Sequence, residues 1–157
     1  NAGIDPAWAY GLMRQESRFV TTARSHVGAG GLMQIMPNTA KLIARQMGET
    51  YNPAALSEMN TNIRYGTFYL SMIHGQLSGN AVLATAGYNA GPNRARRWQP
   101  DFQPISADQY TESIPLLETR DYVKHVMTNA THYGVVLGQG PQSLEKRMSI
   151  IPVRNEP

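Results

Sequence analysis

No stretch of this chain alternates apolar and polar residues at the period of a strand. Where apolar residues recur, they recur three and four apart, the spacing of a helix with one buried face. A chain patterned in this way has to bury helix against helix. The predicted fold class is therefore all-α, with roughly seven to nine mostly short helices.

Start and stop signals divide the pattern. Asp5-Pro6 reads as an N-cap followed by proline at the first helical position. Ala7, Trp8, Leu12 and Met13 continue that helix, and Gly11 inside it marks close packing with another helix. Residues 20–31 read as a loop. Met36-Pro37 opens a second helix through Leu42, Ile43 and Met47, closed by Gly48. Asn52-Pro53 starts a short helical turn. Residues 60–77 form a longer helix with Ile63, Phe68, Leu70, Ile73 and Leu77 inward. Residues 81–88 are short and very apolar, which predicts a path through the core. Asn89 to Pro92 is a turn, residues 93–98 a basic helix, and residues 99–106 a surface loop. Residues 107–113 are a short helix stopped by Ile114-Pro115. Residues 116–133 are the last strong helix, with Tyr122, Val123, Val126, Met127 and Ala130 inward. From Gly134 onward no period is legible, and roughly the last dozen residues read as a tail.

At 157 residues the chain is sized for one domain with one real core. Charged residues are only 16% and hydrophobic residues 41%, so neutral polar groups fill the difference. Such groups suit a cleft for a neutral polyhydroxylated ligand, and many ordinary surfaces too. A net charge of +3 is too small to imply nucleic acid and is compatible with an anionic polymer such as a cell wall. The absence of cysteine excludes disulfides, thiolate metal sites and thiol nucleophiles. No apolar run approaches the roughly 18 residues of a membrane span, and no signal peptide is recognisable. Because the chain opens on Asn1, the expectation is a processed product or an excised domain, with any address or anchor on another part.

The chemistry concentrates in three runs. The first is Glu16 to Pro37. It begins with a carboxylate near a helix C-terminus, where the helix dipole disfavours negative charge. It crosses Gly28, Gly30 and Gly31, and it ends in the apolar Leu32-Met33-Gln34-Ile35-Met36. A carboxylate against an apolar wall has a raised pKa, as an acid catalyst requires. By itself Glu16 also fits a solvated helix surface, and the glycine run also fits a tight helix-packing turn. The second run is Ala86 to Pro92, with Tyr88 and Asn89 at the mouth of a turn. These two side chains suit sugar hydroxyls and an acetamide, or a buried tyrosine with an asparagine cap. The third run is Tyr110 to Asp121. Here Glu112 fits either a cleft or a helix end, and Glu118, Arg120 and Asp121 are expected to form surface ion pairs. The histidines show no metal-ligand spacing, so no metal and no cofactor is expected. Arg94, Arg96, Arg97 and Trp98 form a basic face; a nucleic-acid binder would rest on that run alone.

Five runs in this order resemble the catalytic domain of the soluble lytic transglycosylases. They are R-Q-E-S-R-F, S-H-V-G-A-G-G-L-M-Q-I-M-P, N-I-R-Y-G-T-F-Y-L, A-G-Y-N-A-G-P and E-S-I-P-L-L-E-T-R-D-Y-V. The resemblance covers roughly residues 4 to 135, with Gly30 where relatives often carry serine. It implies a compact goose-type-lysozyme-like fold around a substrate cleft, with residues 1–135 as the catalytic domain and 136–157 as a C-terminal extension. The implied activity is cleavage of the β-1,4 bond between N-acetylmuramic acid and N-acetylglucosamine in peptidoglycan, leaving a 1,6-anhydromuramyl end. Glu16 is implied as the sole acid/base. Ser25, Gln34, Met36, Tyr88, Asn89 and Glu112 are implied to line the substrate cleft. Peptidoglycan glycan strands, and other wall-remodelling proteins, are the implied partners. The implied place is the bacterial periplasm, with outer-membrane association only through a part outside this chain.

With one carboxylate in a convincing setting, the usual two-carboxylate glycosidase plan has no second member. For the activity that the resemblance implies, substrate assistance offers the alternative, with the muramyl acetamide attacking its own C1. Two other activities fit the resemblance less fully: a goose-type muramidase hydrolysing the same bond, and a non-catalytic wall-binding module.

Overall fold

A computed structural model describes residues 3–139 and 147–154. Among the described residues there are seven α-helices and one short 3-10 turn, and no strand. The helices are α1 (Pro6–Ser17), α2 (Pro37–Gln46), α3 (Met59–Gln76), α4 (Ala81–Ala90), α5 (Pro92–Arg97), α6 (Ala107–Ser113) and α7 (Leu117–Val136); the 3-10 turn is Pro53–Ser57. The all-α expectation holds, and most starts fall where proline and cap residues put them. Asp5 accepts a hydrogen bond from the Ala7 N–H at 3.0 Å, a cap of about 1 kcal/mol. Asn80 caps α4 through Leu83, and Ser106 with Gln109 forms a full capping box on α6.

Two helices organise the rest. Helix α4 is the apolar centre, with Val82, Leu83, Ala84, Thr85 and Ala86 all inaccessible. Its one polar core group is satisfied: Trp8 Nε1 donates to Thr85 Oγ1 at 2.9 Å, and Thr85 donates to the Ala81 carbonyl. Helix α7 lies along α1 in the opposite direction. Gln139, just beyond its end, donates to Asp5, and Asn129 reaches the Gly11 carbonyl. Gly11 allows this approach, since a Cβ there would stand 2.8 Å from Ala130 N and 2.9 Å from Val126 O. The end of α1 is thereby pressed between α7 and the core.

The expected tail is corrected in its described part. Ile151 is inaccessible and exchanges two backbone hydrogen bonds with Ile105, at 3.1 and 2.8 Å. Asn80 donates to the Ile150 carbonyl and Gln99 to the Pro152 carbonyl. One buried isoleucine, worth roughly 2–3 kcal/mol of transfer free energy, and paired backbone hold residues 147–154 against the helical body. A lone apolar pair has no period, so the sequence pattern did not register it. Helix α7 likewise runs to Val136, past the point where the pattern fades. The remainder of the expected C-terminal extension, residues 140–146 and 155–157, lies outside the described residues.

Candidate active site

Glu16 is the last residue but one of α1. The helix stops abruptly because Arg18 and then Phe19 take left-handed backbone, at φ 52° and 64°. The Arg18 N–H closes back on the Arg14 carbonyl, and Ser17 Oγ accepts from the Phe19 N–H while donating to the Met13 carbonyl. Two consecutive non-glycine residues in that region are strained. The turn leaves the Glu16 carboxyl facing inward.

Burial pushes the Glu16 carboxyl up from the usual 4.5 to about 7. The Tyr122 hydroxyl opposes the shift and the Glu118 charge adds to it. Removal from water is the largest cause, since the charged form loses its hydration there. The residue as a whole is only partly buried, so the carboxyl is desolvated without being sealed. Tyr122 Oη is buried and makes no well-formed hydrogen bond to any group. It lies close to Glu16 without reaching bonding geometry.

Tyr88 comes from α4. Its phenol is held far above its ordinary pKa by burial and by the nearby Glu16 charge, which sets the ring beside the acid. The hydroxyl donates to the Met33 carbonyl at 2.7 Å, and the ring packs against Tyr69 at 5.6 Å. Tyr88 therefore joins the two halves of the first run, bonded to the loop at Met33 and facing the Glu16 charge. The glycine-rich loop returns to the neighbourhood of Glu16 through this one side chain. Asn89, next on α4, accepts from Thr119 Oγ1 at 2.7 Å, so its carbonyl is fixed and its amide hydrogens are left to donate.

The loop itself is a small closed structure. Gly30 pairs with both Arg24 and Ile35. Gln34 sits at φ 49°, and its Nε2 donates to the Ala23 and Gly31 carbonyls at 2.9 and 2.7 Å. Both amide hydrogens are spent inside the loop, which leaves Oε1 as a free acceptor. Ser25 Oγ accepts from the Ala29 N–H at 3.0 Å. Met33 and Ile35 are core residues, whereas Met36 is 40% exposed at the start of α2.

The structure thus draws Glu16, Tyr88 and the Met33 backbone together, with Asn89 beside them on α4. Ser25 and Gln34 share the loop, and Met36 flanks it. Glu112 stands apart: it is exposed and ion-paired with Lys124 of α7, whose hydrogen bond holds its carboxyl below the usual range. The charge that does reach Glu16 is Glu118. The expected surface ion pair of Glu118, Arg120 and Asp121 is a correction, since Arg120 donates twice to the Ile114 carbonyl instead. Tyr122, Glu118 and Thr119 were not expected at the site. A tyrosine in an apolar helical stripe was the available signal, because a buried phenol needs a partner.

A family profile described as "Transglycosylase SLT domain" matches residues 1–109. The soluble lytic murein transglycosylase of Salmonella typhimurium is 41% identical over 139 residues, which covers 87% of this chain and 22% of that protein. Its Escherichia coli counterpart is 39% identical over 141 residues, again covering 22% of the relative. Among solved structures, an inactive mutant of the lytic transglycosylase Slt of Pseudomonas aeruginosa superposes with a TM-score of 0.88 at 43% identity, over 95% of this chain and 25% of that one. The 70 kDa soluble lytic transglycosylase of Escherichia coli gives 0.82 at 36%, over 93% of this chain and 24% of that one. The chain therefore spans about a quarter or less of the length of these relatives. A helical body carrying a half-sealed acid at the end of its first helix, and matched by the profile over more than two-thirds of its length, belongs to the transglycosylase SLT domain family.

Proposed function

We propose that the chain is a peptidoglycan lytic transglycosylase domain and that Glu16 alone serves as its acid and base. The observation that carries this reading is the Glu16 carboxyl, raised to about 7 by burial. A carboxyl at its pKa near operating pH is available both as proton donor and as acceptor. In the first step the protonated carboxyl gives its proton to the glycosidic oxygen as the C1–O bond breaks. The acetamide carbonyl oxygen of the same muramyl residue bonds to C1 and takes up the developing positive charge. In the second step the Glu16 carboxylate removes the proton from the C6 hydroxyl. O6 then bonds to C1, the acetamide leaves, and the anhydro ring closes without water. Glu16 is returned protonated.

The polar groups support this use. Asn89 offers free amide hydrogens and Gln34 a free carbonyl oxygen, a donor and an acceptor suited to sugar and acetamide groups. Ser25 and Met36 line the approach in the same reading, and Glu112 is assigned to a more distant, solvent-exposed position. The domain is assigned to residues 1–135, with the described part of the C-terminal segment packed on it. A 70 kDa soluble lytic transglycosylase has been solved in complex with bulgecin A, and the surface around Glu16 is proposed to take glycan strands. The proposed place is the bacterial periplasm, where that polymer lies.

Mass spectrometry of purified peptidoglycan digested by the protein tests the reading. Muropeptides ending in 1,6-anhydromuramic acid are the expected result. Reducing muramyl ends would overturn it in favour of hydrolysis, and an intact polymer in favour of a binding module.

A further inference from the structure

The loop that carries Gln34 is fastened to α3 by one side chain. Asn62 is 1% exposed. Its Oδ1 accepts from the Met33 N–H at 2.8 Å, and its Nδ2 donates to the Gly30 carbonyl at 2.9 Å and the Leu56 carbonyl at 2.8 Å. Both amide hydrogens and one acceptor lone pair are therefore in use. No spare room surrounds the clamp. A Cβ on Gly31, which stands at φ +77°, would come within 2.1 Å of Asn62 Nδ2 and 2.3 Å of the Leu56 carbonyl oxygen.

Met33 is consequently held at both of its backbone polar atoms. Its N–H is held by Asn62 and its carbonyl oxygen by the Tyr88 hydroxyl at 2.7 Å. Its side chain lies on Gly66, where a Cβ would stand 2.2 Å from the Met33 sulfur. The Tyr88 ring in turn leans on Tyr69. Asn62, Gly66 and Tyr69 follow one another at four and three residues, so they share one face of α3. That face seats Met33 and Tyr88 together. The groups that face Glu16 electrostatically come from elsewhere: Tyr88 on α4, and Tyr122 and Glu118 on α7.

We propose that Asn62 is a positioning residue for the Glu16 site. By fixing Met33 it fixes the carbonyl on which the Tyr88 hydroxyl rests, and so the ring that stands beside the acid. The path runs through two hydrogen bonds, Asn62 to Met33 and Met33 to Tyr88, and then through the electrostatic proximity of Tyr88 to Glu16. Loss of the clamp frees Met33, lets Tyr88 swing from the carboxyl, and admits water to it.

The test uses Asn62→Ala, Tyr88→Phe and the two combined. The Glu16 carboxyl is titrated by carbon NMR, and kcat and KM are measured on purified peptidoglycan. The kinetic arm rests on the transglycosylase reading; the titration arm does not. In Asn62→Ala the Glu16 midpoint is expected to fall by about one unit, as a rehydrated carboxyl does. The same variant should lose about tenfold in kcat, as misplacement of a catalytic group does, with KM within about twofold. The double variant should be no slower than the slower single, because both substitutions break one chain of contacts. A lower melting temperature with an unmoved Glu16 midpoint would overturn the proposal and leave Asn62 a structural clamp. Losses that multiply in the double variant would overturn it too. If the wild-type protein leaves peptidoglycan intact, the function fails and the titration alone decides the role of Asn62. Should Asn62→Ala fail to fold, Asn62→Ser keeps a donor for one of the two carbonyls and is read in the same way.

Discussion

The dipeptide Glu-Ser occurs at the same place in two helices, and its carboxylates meet opposite fates. Glu16-Ser17 closes α1 and Glu112-Ser113 closes α6. In each case a negative charge sits where the helix dipole disfavours it. At α1 the carboxyl turns in toward α4 and α7, loses water and rises to about 7. At α6 it turns outward, meets the Lys124 ammonium, and is held below its usual range. Residue type and helix position are the same, so neither decides the chemistry. What decides it is the packing of the helix end, set by Gly11 on one side and by the strained turn at Arg18 and Phe19 on the other.

The largest expected effect separates the two carboxylates by turnover. Under the proposed mechanism Glu16→Gln keeps the shape and removes the proton given to the leaving oxygen, so the rate on peptidoglycan should fall by about a thousandfold or more. Glycan binding, measured by pull-down with insoluble wall, should persist. A Glu16→Gln protein that still releases anhydro-muropeptides near the wild-type rate would break the comparison.

Stability against pH sharpens the same contrast. Between pH 4.5 and about 7 the folded protein keeps a proton on Glu16 that the unfolded chain has released. Stability from this group is therefore fully present below the unfolded pKa and is lost as pH rises through the folded one. The loss is about 3 kcal/mol at most, because the residue is only partly buried. Glu16→Gln should accordingly be more stable than wild type at pH 8 by up to about 3 kcal/mol, with no gain near pH 4. Urea unfolding at the two pH values measures it, and an equal effect at both would mean that the carboxyl is hydrated. Glu112 has the reverse sign: its ion pair helps at neutral pH, and that help fades as pH falls through the carboxylate range.

Much of this is legible in the sequence, for reasons that differ by residue. Pro6, Pro37 and Pro53 begin helical segments because their fixed φ suits a first turn. Gly11 announced a close crossing, and the apolar run of α4 announced the centre. Glu16 could be singled out, since its neighbours in sequence include the loop that returns to it. The roles of Tyr122 and Glu118 could not. A tyrosine in a helical stripe looks like core, and E-T-R-D looks like surface, until α7 is laid on α1. Gln34 was legible as polar, but its left-handed backbone and doubly used amide follow from how the loop folds back on itself. Ile151 was invisible because a single buried contact has no period.

Tyr88→Phe tests how the acid is held. The substitution removes one hydroxyl, leaves the ring against Tyr69, and strands the Met33 carbonyl. The expected loss is about tenfold in kcat, against about 1 kcal/mol in stability. A variant that fails to fold, or one that unfolds far more readily while its folded fraction works at full rate, would make Tyr88 a core residue alone.

Glu112→Gln should give the smallest effect and closes the comparison from the other side. Its carboxylate is 61% exposed and its partner Lys124 44%, so water and salt screen the pair. With its charge removed, turnover on purified peptidoglycan should change by less than about threefold, and raising the salt concentration should shrink even that difference. The two helix ends would then differ as their burial says they do. A loss approaching that of Glu16→Gln would show that Glu112 takes part in the reaction after breaking its pair with Lys124. In that case Lys124→Met, which leaves Glu112 unpaired, should raise the rate or shift its acid limb upward in pH; an unchanged profile in Lys124→Met, together with full activity in Glu112→Gln, leaves the rate with Glu16 and not with Glu112.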